Sequence, residues 1–204
     1  MRVLVACEYS GRVRDEFIRK GHDAISCDML PTDVPGPHYQ GDVRDIIGDG
    51  FDLMVAHPPC TFLSRVSARH LVNSAGAVNS DRWAEVVAGA EFFREILEAP
   101  IPRIAVENPI MLMRAQRLIG VPFTQVIQPW QHGDPYTKAT ALWLKNLPPL
   151  SWSAPVVPTS KALGWDAGPT ADRWKIRSAT YPGIARAMAD QWSESLVSLE
   201  MALW

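Results

Sequence analysis

The chain has 204 residues, of which 47% are apolar, 21% charged and 9% aromatic. At about 150 residues per domain this is one domain, or one with an appendage, and the composition excludes disordered, collagen-like and low-complexity readings. Lys and Arg number 20 against 22 Asp and Glu, a net charge of −2 that excludes a uniformly basic nucleic-acid binder and leaves room for a local patch. The 3 cysteines, Cys7, Cys27 and Cys60, are odd in number and widely spaced, which argues against a disulfide framework or a Cys-x-x-Cys site. MRVLVACEYSGR lacks the apolar stretch of a signal peptide, and no run of roughly 18 apolar residues follows, so a cytoplasmic protein is expected.

Arg2 to Cys7 is a continuous apolar run and reads as a buried parallel strand. Ser10-Gly11 then opens a helix with Val13, Phe17 and Ile18 on its inner face and Gly21 as its stop. Asp23 to Cys27 is a second strand ending in Asp28, and residues 31–41 are a loop by composition. Asp52 to Ala56 is a third strand, stopped by His57-Pro58-Pro59. Residues 81–99 form an amphipathic helix capped by Asp81, with Trp83, Val86, Val87, Ala90, Phe93, Ile96 and Leu97 inward. Arg103 to Val106 is a fourth strand leading into Glu107-Asn108. Thr124 to Ile127 and Thr140 to Leu144 are candidates for an antiparallel pair. Residues 147–177 are rich in Pro, Ser and Gly without a clean period. A last helix starts near Pro182 with Ile184, Met188, Trp192, Leu196 and Leu199 on one side.

Alternating strands and helices of this kind imply an α/β fold with a doubly wound, mostly parallel sheet, whose ligands bind beyond the carboxyl ends of the strands. Four strand ends then bring polar residues to one rim: Cys7 to Gly11, Asp28, His57 to Cys60, and Glu107-Asn108. The first turn has one glycine, so the dinucleotide fingerprint is absent; it reads as a nucleoside-binding turn or as an ordinary strand–helix turn. Asp28 follows that turn by roughly 20 residues, where an acidic side chain commonly bonds a ribose hydroxyl. Asp42 reads either as a bond to an adenine amino group or as a loop residue.

His57-Pro58-Pro59-Cys60 is more specific. Two prolines fix two backbone angles and make a rigid shelf for Cys60, a soft nucleophile if a cation or helix N-terminus lies near. Cys7 and Cys27 read as small buried hydrophobes. His57 and Cys60 have no second cluster at ligand spacing, so no metal is expected. Glu107, on the next strand end, is a candidate acid or a structural partner of an arginine.

A strand ending in Pro-Pro-Cys, followed by one ending in Glu-Asn, resembles the DNA cytosine-5 methyltransferases, in particular their compact phage and prophage members. GHDAISCDMLP, DLMVAHPPCTFL, IPRIAVENP, QPWQHGDPYTKATALWLKNLPPL and TYPGIARAMADQW carry the resemblance from residue 2 to about 193. It implies a Rossmann-like sheet of the S-adenosylmethionine-dependent methyltransferase type over residues 1–204. It also implies that Cys60 attacks carbon 6 of cytosine, Glu107 protonates ring nitrogen 3, Asn108 orients the site and carbon 5 takes the methyl group. S-adenosylmethionine would lie against Tyr9, Ser10, Gly11, Asp28 and Asp42, with Cys7 and Pro58 beside them. A target in duplex DNA would be flipped into the pocket.

The departures are informative. Tyr136, Lys138 and Thr140 stand where the family has Gln-x-Arg-x-Arg, so Lys138 is a candidate contact to the ring or a phosphate, or a surface lysine. Ser178-Ala179 replaces a closing Gly-Asn. Only residues 147–181 are available for target recognition, which leaves it either supplied by a partner chain or second copy, or nearly absent. Trp152, Trp165 and Trp174, with Arg173, Lys175 and Arg177, suit base stacking and phosphate contact, although tryptophans filling the gap over the sheet edge are the favoured reading. Arg65, Arg69 and His70 read as a loop over the substrate or as plain surface. Two other functions stay open: cytosine-5 modification of a free nucleotide or with a methyl-related group, and a non-catalytic module binding nucleic acid or a partner.

Overall fold

The computed structural model describes residues 1–65, 71, 77–162 and 173–201. Its main sheet contains β1 (Arg2–Ala6), β2 (Asp23–Asp28), β3 (His38–Gln40), β4 (Leu53–Ala56), β5 (Arg103–Pro109), β6 (Gln125–Ile127) and β8 (Thr140–Lys145). Two-residue strands β7 (Tyr136–Thr137) and β9 (Ser160–Lys161) pair separately. The helices are α1 (Arg12–Arg19), α2 (Ser80–Leu97), α3 (Met113–Ile119), α4 (Arg173–Ser178) and α5 (Pro182–Met201).

The seven strands lie in the order β3-β2-β1-β4-β5-β8-β6. The first five run parallel, and β8 is antiparallel to both of its neighbours, β5 and β6. This is the α/β, doubly wound, mostly parallel sheet expected from the sequence, and the β6–β8 antiparallel pair is as expected. Both faces of the central strands are covered, which is why they read as unbroken apolar runs. Val3, Val5, Leu53 and Val55 pack beneath Phe17 of α1 and Met188 and Trp192 of α5. Leu4, Ala6, Met54 and Ala56 face Val86, Phe93 and Ile96 of α2.

Several expectations are corrected. The 31–41 loop contains β3, which extends the sheet beyond β2 through Ser26↔His38. Asn79, not Asp81, caps α2: its side chain accepts from Arg82 N at 3.1 Å, and the helix begins one residue earlier than its charge pattern suggests. Ile18 is 39% exposed, and the buried partners of Phe17 on α1 are Val13 and Arg14. Arg14 is buried because its guanidinium takes Ser26 Oγ, Thr32 Oγ1 and the carbonyls of Val34, Pro35 and Pro37 as acceptors, replacing water on nearly every donor. β5 runs on to Pro109 because β8 pairs with it to Pro109↔Thr140, so Glu107 and Asn108 lie within the strand. The 147–177 stretch contains β9 and most of α4. Arg69, His70 and Trp165 lie outside the described residues, as do the side chains of Arg173, Leu196 and Leu199. Among the described residues no helix is long and apolar enough to cross a membrane.

Candidate active site

The site starts at the turn leaving β1. Cys7 has φ 57, a left-handed conformation that costs a side-chain-bearing residue energy and recurs where a backbone is shaped for function. The buried Glu8 carboxylate then accepts from Val13 N at 2.8 Å, Arg14 N at 3.2 Å and Ser10 Oγ at 3.1 Å. It occupies the positive N-terminus of α1, where a phosphate-binding turn would leave room for its ligand. Gly11 has φ 71, and a Cβ there would stand 2.5 Å from Arg14 Nη2, so the turn requires glycine.

Beyond the strand ends lies a cavity of about 1000 Å³. Cys60, Glu107, Asn108 and Lys138 all line it, together with Cys7, Tyr9, Asp28 and Pro58. A smaller cavity of about 340 Å³ adjoins it and shares Cys7 and Asp28; Asp42 lies there. Ser10 and Gly11 line neither of the two and shape the turn instead. Asp42 is spoken for: it caps the turn at Val43–Asp45 by accepting from Arg44 N at 3.0 Å, and it pairs with the Arg44 guanidinium at 3.0 Å. Among the described residues no group of three or more His, Cys, Asp or Glu gathers as metal ligands.

The diproline fixes Cys60 in position, and β5 holds the diproline. Asn108, 1% exposed, donates from Nδ2 to Pro58 O at 2.8 Å, while its Oδ1 is buried without a protein partner. Glu107 accepts from His57 Nδ1 at 2.9 Å, with side chains only 15% and 10% exposed. Burial opposes charge on both, but the hydrogen bond and mutual attraction prevail: Glu107 is held below the usual carboxylate range and His57 above the usual imidazole range. Sequence reasoning weighed His57 only as a metal ligand and missed this pair. The signal was present, because an ionisable residue directly before the diproline must share its rim.

Burial and the Glu107 charge raise the Cys60 thiol, while Lys138 and Arg177 oppose them. Cys7 is pushed up to about 12 by burial and the Asp28 carboxylate, and Cys27 likewise to about 12. Two cations, Lys138 and Arg177, act on Cys60, against Arg44 alone on Cys7.

The cavity mouth is bridged by α4. The Tyr9 hydroxyl donates to Lys175 O at 3.0 Å and lies 2.8 Å from Ser178 Oγ; Trp174 stacks near Tyr9 with centroids 5.6 Å apart. Lys138 Nζ donates to Arg177 O at 3.1 Å. Trp174 and Trp152 are 48% and 59% exposed, so neither fills a gap over the sheet edge; Trp152 packs edge-on against Trp130 at the surface. Arg65 is exposed and donates its backbone N–H to Ile110 O. Arg82, Lys138, Lys161 and Arg177 gather around the cavity, a local concentration of cations that the net charge conceals.

Fold and site define an α/β protein with a deep ligand cavity along the carboxyl edge of its sheet. Among solved structures, the chain is similar to a prophage-encoded E. coli protein assigned as a DNA modification methyltransferase, at 15% identity and TM-score 0.45, covering 71% of this chain and 46% of that one. It is also similar to the Entamoeba histolytica methyltransferase EhMeth, at 12% identity and TM-score 0.44, over 80% of this chain and 58% of that one. A third likeness is to WbdD in complex with a kinase inhibitor, at 14% identity and TM-score 0.37, over 72% of this chain and 36% of that one. The chain thus spans between 36% and 58% of the length of these proteins. No protein-family profile and no curated protein sequence matches it.

Proposed function

We propose that this chain is an S-adenosylmethionine-dependent transferase that methylates carbon 5 of cytosine in DNA through a covalent Cys60 adduct. One observation carries the reading: Cys60, on its diproline shelf, opens onto the same cavity as Glu107 and Asn108. A nucleophile beyond the end of β4 and an acid on the neighbouring β5 are what a cytosine ring requires, since carbon 5 becomes nucleophilic only after carbon 6 is attacked.

In this reading the Cys60 thiolate forms a bond to carbon 6 while Glu107 delivers a proton to nitrogen 3. Asn108 orients the ring, its buried Oδ1 being a free acceptor for an exocyclic amino group. Lys138 and Arg177 favour the thiolate against burial. Carbon 5 takes the methyl group, and loss of its proton to water then restores the double bond and expels Cys60.

The residues present fit the cofactor. The smaller cavity is an apolar slot between Cys7, Cys27, Val43 and Phe92, suited to a purine, and Arg44 stacks on the Phe92 ring at 4.8 Å. The half-buried Asp28 stands between the two cavities, placed for ribose hydroxyls. Bound there, the cofactor supplies the methyl group. Asp42, committed to Arg44, shapes the slot more than it recognises adenine.

The cations around the cavity support a phosphate-bearing substrate, DNA first. They equally suit a free cytosine nucleotide, the second reading. A covalent trap separates them. Wild type and Cys60→Ser are incubated with S-adenosylmethionine and DNA containing 5-fluorocytosine, which blocks release, and intact mass is read after denaturation. A DNA adduct on wild type alone supports the first reading. An adduct only with 5-fluorocytidine nucleotides supports the second. No adduct with either refutes both and favours a binding module.

A further inference from the structure

We propose that His57 is the proton donor behind Glu107: the two side chains hold one proton between them, and His57 supplies it to the substrate ring by way of the carboxylate. The inference rests on the cytosine reading above and assigns its proton source. The geometry carries it. Glu107 Oε2 is 2.9 Å from His57 Nδ1, both residues line the cavity, and His57 Nε2 is buried with no partner. The Nδ1 proton is hydrogen-bonded to Glu107, so its path toward the substrate runs through that carboxylate.

The arrangement answers a chemical problem. Glu107 beside an imidazolium is ionised at rest, and a carboxylate cannot by itself protonate nitrogen 3. With His57 behind it, the single shared proton passes from His57 Nδ1 to the carboxylate and on from the carboxylate to nitrogen 3. The carbon–sulfur bond forms in the same step, the carbon 5–carbon 6 π pair shifts to carbon 4–carbon 5, and the carbon 4–nitrogen 3 π pair moves onto nitrogen 3, where it takes the proton. The pair then holds neutral His57 and ionised Glu107. When Cys60 departs with the π bond restored, nitrogen 3 returns its proton along the same path. No outside acid is needed. Other ionisable groups facing the pair are Glu8 from the β1 turn, Cys60 from the β4 end, and Lys138 from the turn before β8. Glu8 supports the imidazolium, and Lys138 opposes it.

Two measurements test the proposal. The first needs no substrate: carbon-13 and nitrogen-15 NMR titration of His57 and Glu107 in the resting protein, in wild type, Glu107→Gln and His57→Asn. His57 should stay protonated above the ordinary 6.5 in wild type and fall below it in Glu107→Gln. An imidazole that titrates at or below 6.5 in wild type overturns the proposal, whatever the protein catalyses.

The second is the pH dependence of adduct formation with 5-fluorocytosine. His57→Asn keeps a donor for Glu107 but cannot carry the proton, so the basic limb should move to lower pH by about one unit or more, with rate recovered at the acid end. A shallow loss at every pH with the limb unmoved would mean that His57 merely braces Glu107, and would overturn the relay. If wild type forms no adduct while the NMR pair is intact, the cytosine reading has failed, and the substrate role falls with it.

Discussion

Asn108 Nδ2 reaches across from β5 to the Pro58 carbonyl at 2.8 Å, tying the strand that carries Glu107 to the turn that carries Cys60. The separation between nucleophile and acid is thus set by one buried hydrogen bond as well as by the sheet.

Asn108→Ala should therefore do two things. Leaving the Pro58 carbonyl without its buried donor should lower stability by about 1–3 kcal/mol, seen in urea unfolding. Adduct formation should slow by about 100-fold through misplacement of Cys60. A variant of reduced stability with an unchanged adduct rate would show that the tie is structural only.

Cys60 should be a sluggish thiol until substrate arrives. Its acidity is weakened first by burial and then by Glu107, so at pH 8 iodoacetamide should modify it more slowly than a free thiol. Lys138→Gln removes an opposing cation and should slow the reaction further, whereas Glu107→Gln should speed it. Cys7, pushed up to about 12, should react more slowly than Cys60. Peptide mass mapping of a timed alkylation reads all three thiols at once.

The His57–Glu107 pair predicts a stability window. Glu107 is depressed, so its contribution is complete above the unfolded value of 4.5 and lost as pH falls through the folded value. His57 is raised, so its contribution is complete below 6.5 and lost as pH rises through the folded value. Between 4.5 and 6.5 both are present. The stability difference between wild type and Glu107→Gln, from urea unfolding at several pH values, should be largest there and shrink on both sides. A difference that is flat from pH 4 to pH 8 would contradict the pair.

Arg14 pins the 32–37 backbone to α1. Arg14→Met keeps the buried stem and removes the donors, so that Pro35 O loses its donor and Val34 O and Pro37 O keep only Thr32 and Ser26 as theirs. A loss of about 1–3 kcal/mol and faster proteolysis within 29–37 are expected, detectable by limited digestion. Because Asp28 opens that segment, cofactor binding should weaken as well.

The strands and their order of burial were legible because a sheet covered on both faces needs unbroken apolar runs, and RVLVAC and DLMVA are such runs. The rim was legible for the same reason: parallel strands place all their carboxyl ends together. What the sequence hid depends on partners far along the chain. Arg14 looks like a surface residue until Pro35 and Pro37 bring their carbonyls to it. Asp42 looks available until Arg44 claims it. β3 has no apolar run to announce it, since it is an edge strand of three residues. The bridge across the mouth joins Tyr9 to Ser178, and no local pattern reports a contact over such a separation.

The reversal of β8 has a consequence for where the rest of the chain returns. Its final residue, Lys145, lies at the foot of the sheet beside Ile104, yet the chain climbs back so that Ser160 pairs with Tyr136 near the rim. Ala162 and Trp174 then both stand on the wall of the large cavity. Two segments far apart in the sequence thus return to the edge of the sheet that carries Cys60, because one strand runs against the others.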